Sequence, residues 1–123
     1  MTKEFTPYEP SLALKELGFD EPCISYYTVY GKFSNDYSAP KKYNSEFKLG
    51  SYISAPTYSQ AFKWFRENYG LYSWVTMELG NKSTFCWVLS GEHTSTQYAA
   101  YFHTYEEAEL ACLNKLIEIV KNK

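Results

Sequence analysis

Hydrophobic positions near the end of the chain fall at helical spacing. Tyr105, Ala108, Leu110, Cys112, Leu113, Leu116, Ile117, Ile119 and Val120 occupy an arc of about 200° when the residues are set 100° apart. Thr104, followed three residues later by Glu107, forms a capping-box pattern, and no Gly or Pro interrupts the run. Glu106, Glu107 and Glu109 at its start and Lys121 at its end match the polarity of a helix dipole. The spacing predicts a helix over 105–121 whose apolar arc exceeds what one supporting surface covers. Either residues 1–56 supply the remaining cover, or a second subunit meets Leu110, Leu113 and Ile117 in a homodimer.

A second helical stripe runs through Tyr58, Ala61, Phe62, Phe65 and Tyr69, with Thr57 and Gln60 as its capping box and Gly70 as its stop. Trp64 lies off that stripe. Residues 11–18 predict a short helix opened by Pro10 or Ser11. Gly18 closes it in the left-handed conformation, with Phe19 folding back onto it. Between the two longer helices the period changes from 3.6 to 2. In the run from Leu71 to Leu79, Leu71, Val75, Met77 and Leu79 alternate with Tyr72, Trp74, Thr76 and Glu78, and Phe85, Trp87 and Leu89 alternate with Thr84, Cys86 and Val88. The turn residues Gly80, Asn81 and Lys82 join the two runs as a hairpin. Residues 97–103 predict a third strand, with Tyr98, Ala100 and Phe102 on one face. Cys23 to Tyr30 reads as a further strand, and residues 31–56 as a packed loop holding one short strand, because their aromatic content is too high for a linker.

These elements predict an α+β protein, a single domain over residues 1–123. An antiparallel sheet of three to four strands packs on two main helices in the order α-β-β-β-α, preceded by a short helix and strand. The 123-residue length suits one core.

Composition adds one strong signal: 13 tyrosines in a chain that is 20% aromatic. Tyrosine in such excess marks half-buried rings with a hydroxyl at a wet or contacting surface. The formal net charge of −2 is spread without a basic tail or patch, which disfavours strong phosphate-driven binding. No apolar leader follows the first residues and no stretch reaches membrane-spanning length, so the expectation is a soluble cytosolic protein with no membrane role. Cys23, Cys86 and Cys112 show no metal spacing and read as reduced thiols.

The order helix, three strands, helix resembles that of double-stranded-RNA-binding domains. Such domains grip phosphates with lysines at the start of the last helix, whereas this chain has Glu106, Glu107 and Glu109 there. Duplex-RNA binding is therefore not expected. Pairing Cys86 or Cys112 with His93 or His103 as nucleophile and base has no supporting motif, and no phosphate loop, paired-carboxylate motif or nucleophile elbow occurs. The chain is read as non-enzymatic, with no catalytic residue, metal or cofactor.

Protein binding is favoured, because Tyr and Trp are enriched at interfaces. Trp64, Tyr72 and Trp74, with Tyr37 and Tyr43, are the candidate partner-binding residues, unless the N-terminal half covers the face that carries Tyr72 and Trp74. The alternative is a single-stranded nucleic-acid binder using residues 26–52, where Tyr26, Tyr30, Lys32, Lys41, Lys42 and Lys48 place rings beside cations.

Residues 16–23, 56–67 and 105–121 carry a resemblance. Glu16-Leu-Gly-Phe-Asp-Glu-Pro-Cys23, Pro56-Thr-Tyr-Ser-Gln-Ala-Phe-Lys-Trp-Phe-Arg-Glu67 and the closing helix resemble blocks in small uncharacterised proteins of phages and prophages of Bacteroides-type gut bacteria. The resemblance implies a shared fold and a viral context, a protein that meets host or viral partners. It assigns no activity.

Overall fold

A computed structural model of the chain describes residues 4–35, 43–46, 52–78, 81–92 and 94–122. It is an α+β protein with two three-stranded antiparallel sheets where the sequence predicts one sheet of three to four strands. The chain divides into two compact units, Met1–Gln60 and Ala61–Lys123.

The first unit opens with helix α1, Tyr8–Glu16, three residues earlier than expected. Pro10 sits in its first turn, where a missing N–H leaves no helical bond unmade. Its ending is as predicted. Phe19 N donates to Leu14 O at 2.9 Å and Gly18 N to Lys15 O at 3.1 Å, with Gly18 at φ 101. This is the bond pair of a Schellman ending, and Leu14 and Phe19 are both buried.

Strand β1 is Ser25–Thr28, shorter than the predicted 23–30. The supposed loop supplies both of its neighbours: β2, Phe33–Asn35, and β3, Tyr52–Ser54, in the order β2-β1-β3. Each new strand is only three residues long, too short to show alternation in sequence. Register aligns Phe33, Tyr27 and Ile53 in one row. The Tyr27 ring meets Phe33 at 5.5 Å and Tyr8 at 5.6 Å, and its hydroxyl donates to Thr6 O at 2.8 Å. A short 3-10 turn, Asn44–Glu46, is latched in place: Asn44 Nδ2 donates to Phe19 O and Asn44 Oδ1 accepts from Ser54 N, both at 2.8 Å.

Helix α2, Tyr58–Tyr69, carries the full capping box, with Gln60 N donating to Thr57 Oγ1 and Thr57 N donating to Gln60 Oε1. Gly70, at φ 64, ends it.

The second unit is the predicted meander, β4 (Leu71–Glu78), β5 (Asn81–Gly91) and β6 (Thr94–Phe102), in that order across the sheet. Helix α3, Tyr105–Lys121, packs on all three strands. Its cap is the predicted Thr104, whose side chain accepts from Glu107 N at 3.1 Å. The core of this unit comprises Leu71, Trp87 and Leu89 from the sheet and Ala108, Cys112, Leu113, Leu116, Ile117 and Val120 from the helix, all buried. Leu113 and Ile117 are thus covered within a single chain and cannot supply the homodimer contact considered for them. Leu110 is half-buried.

Candidate partner-binding face

Partners across an antiparallel ladder put their side chains on the same face. Register pairs Trp74 with Val88 and Val88 with Tyr98, so these three form one row across the second sheet. A second row begins with Tyr72 opposite Ser90, whose hydroxyl meets Thr96 Oγ1 at 3.2 Å. Leu71 and Leu89, out of phase with these rows, are buried, so the face bearing Tyr72 and Trp74 is the outer one.

The sequence placed Tyr98 and Phe102 together on one face, but the structure separates them. Phe85 pairs with Phe102 and Trp87 with Ala99, so Ala100 and Tyr101 both stand opposite Cys86. This bulge inserts one extra residue into β6 and breaks its period of two. Phe102 joins Phe85 on the inner face, where the Phe85 ring lies edge-on to Tyr105 at 6.1 Å. Tyr98 turns outward. Tyr101 occupies the bulge with φ 70, the only non-glycine residue at positive φ among the described residues, and its N–H donates to Glu78 Oε1 at 2.7 Å.

The outer face is therefore aromatic and wet: Tyr72 is 47%, Trp74 50%, Tyr98 72% and Tyr101 74% exposed. Val88 lies half-buried between Trp74 and Tyr98. Thr76, Ser90 and Thr96 add hydroxyls. Glu78 is engaged by the Tyr101 amide, which donates to its Oε1.

Trp64 requires a correction. It is 6% exposed, and its ring meets Phe65 at 5.1 Å and Tyr69 at 5.4 Å. It lies off the helical stripe yet is buried, so it offers no surface to a partner. Tyr43 is exposed, next to the latched 3-10 turn of the first unit, and does not belong to the face in the second. Tyr37, Lys41, Lys42, Lys48 and His93 lie outside the described residues. Of the proposed nucleic-acid stretch, Tyr30 is 94% exposed on the β1–β2 turn and Lys32 is exposed beside it. Tyr26 is half-buried and packs edge-on against Tyr52 at 5.0 Å.

The thiols and carboxyls follow their surroundings. Burial pushes the Cys112 thiol up to about 11. The neighbouring Ser73 hydroxyl offsets part of this, and the Glu109 charge adds to the rise. Such a thiol stays protonated and is a poor nucleophile at neutral pH. Glu109, half-buried among the core-facing residues of α3, is raised to about 7 by burial and by Glu106. His103 is exposed. Among the described residues no three His, Cys, Asp or Glu side chains converge to hold a metal, and no helix is long and apolar enough to cross a membrane.

Only Tyr72 and Trp74 of this face were singled out from sequence. Strict alternation groups Tyr98 with Phe102 rather than with Trp74, and it gives no sign of the bulge that carries Tyr101. The polar run Thr94-Ser-Thr-Gln97 entering the strand was the available hint of an exposed edge. Comparison of the chain with protein-family models, with curated proteins and with solved structures finds no match.

Proposed function

We propose that the chain is a non-enzymatic binding protein that recognises a protein partner through the outer face of β4–β5–β6. The observation that carries this reading is the exposure of Tyr72, Trp74, Tyr98 and Tyr101 on one sheet face. Isolated exposed aromatics are ordinary, but four on one face form the kind of contiguous patch that marks interaction sites. Their amphipathic rings lose little side-chain entropy when covered. The viral resemblance of residues 16–23, 56–67 and 105–121 suggests the setting: a phage- or prophage-encoded factor in a bacterial cytoplasm, acting on a host protein in takeover or anti-defence.

The test is capture from host lysate by tagged wild-type protein and by Trp74→Ala, with bound proteins identified by mass spectrometry. Loss of one specific partner in the variant, with circular dichroism and thermal unfolding unchanged, is the expected result. Equal capture by both proteins overturns the reading.

The alternative, a single-stranded nucleic-acid binder using residues 26–52, draws on the exposed neighbours Tyr30 and Lys32. An oligonucleotide titration decides it. Salt-dependent binding supports it, and no shift at low salt with micromolar protein removes it.

A further inference from the structure

The geometry points to a proline-rich segment in the polyproline II conformation as the element that seats on the outer face of β4–β5–β6, an inference that rests on the protein-binding reading above. The row Trp74–Val88–Tyr98 sets the scale. Its two rings stand on strands separated by one intervening strand. Neighbouring strands lie about 4.8 Å apart, so the ring-bearing positions are about 9.6 Å apart. A polyproline II helix rises about 3.1 Å per residue with three residues per turn, so residues i and i+3 lie on one side about 9.3 Å apart. A peptide crossing the strands would thus set one proline on Trp74 and the next on Tyr98, with Val88 as the apolar floor between them.

The chemistry of the face selects the same class. A proline-rich segment offers flat apolar rings and backbone carbonyls that are all free to accept. The face supplies aromatic surfaces, and its indole N–H and tyrosine and threonine hydroxyls are donors. Sugars are held by paired carboxylate or amide groups, and Glu78, the described carboxylate here, already accepts from Tyr101 N. The bulge gives independent support. It holds a tyrosine at φ 70, a strained state for that residue type, and leaves its side chain 74% exposed beside the row.

Trp74 is the exposed member of the three tryptophans, Trp64 and Trp87 being buried, so indole emission reports this face. The probes are capped decaproline and a capped decamer with proline at every third position and alanine between, against a Gly/Ser decamer of equal length. The expected result is saturable emission change with both proline peptides and none with the control. Amide shift changes in the 15N-labelled protein should centre on Trp74, Val88 and Tyr98, and Tyr98→Ala should weaken affinity at least about tenfold. No response up to millimolar peptide, or a response that Tyr98→Ala leaves unchanged, overturns the inference. A Trp74-dependent dimer in sedimentation velocity without a peptide response assigns the face to a second copy and also overturns it. If the peptides fail while Trp74→Ala still abolishes partner capture, the peptide class alone is wrong. If both fail, the protein-binding reading falls with it.

Discussion

Tyr101 sits at φ 70, where a side chain crowds its own backbone at a cost of about 1 kcal/mol or more. The bond from its N–H to Glu78 holds it there. Glycine adopts the same angle freely, though it loses more chain entropy on folding. Tyr101→Gly should therefore leave stability unchanged or raise it by up to about 1 kcal/mol in urea unfolding, while weakening partner capture. A clear loss of stability would show that the ring is a structural contact. Glu109 gives a second prediction, from charge. Its folded value of about 7 lies above the ordinary 4.5, with burial the larger cause and Glu106 the smaller. A group raised on folding adds stability that is complete below about pH 4.5 and is lost as pH climbs through 7. Since the side chain is only partly buried, the effect is on the order of 1 kcal/mol after screening. Glu109→Gln should flatten the stability profile between pH 5 and pH 8, roughly the span of that titration, and make the protein more stable at the upper end. A decline of equal slope in the variant would place the titration elsewhere.

At the scale of elements, two tryptophans that look alike in sequence part company. Trp64 on α2 is buried against Phe65 and Tyr69, whereas Trp74 on β4 is half exposed. Trp64→Ala should cost about 3–5 kcal/mol in denaturant unfolding. Trp74→Ala should cost less than about 1 kcal/mol while removing partner capture. Helix ends and the hairpin were legible because caps and turns are local chemistry: Thr57 with Gln60, Thr104 with Glu107, and Gly18 before Phe19 each work within a few residues. The candidate site was only half legible. Tyr72 and Trp74 follow from alternation in β4, but Tyr98 faces outward because of a bulge, and that bulge exists only in the pairing of β6 with β5. Likewise β2 and β3, three residues each, are strands by virtue of flanking β1.

For the whole molecule, the apolar arc of α3 was the question of most consequence. The six buried residues of α3 span about 180° at 100° per residue, and they include Leu113 and Ile117. Leu113→Ala should therefore cost about 3 kcal/mol in unfolding and leave sedimentation unchanged. A shift in association state with intact stability would instead place Leu113 at a subunit contact. Hydrophobic periodicity, caps and composition by themselves determined that this is an α+β chain, that α3 is its most apolar helix, and that tyrosine is abundant enough to serve a surface. Each of these depends on interactions short in sequence. Only the tertiary structure decided that the strands form two sheets, that Trp64 is core, and that Tyr72, Trp74, Tyr98 and Tyr101 share one wet face. Those outcomes depend on which distant backbones pair and in what register. One extra residue in a strand is enough to turn a side chain from the core to the solvent.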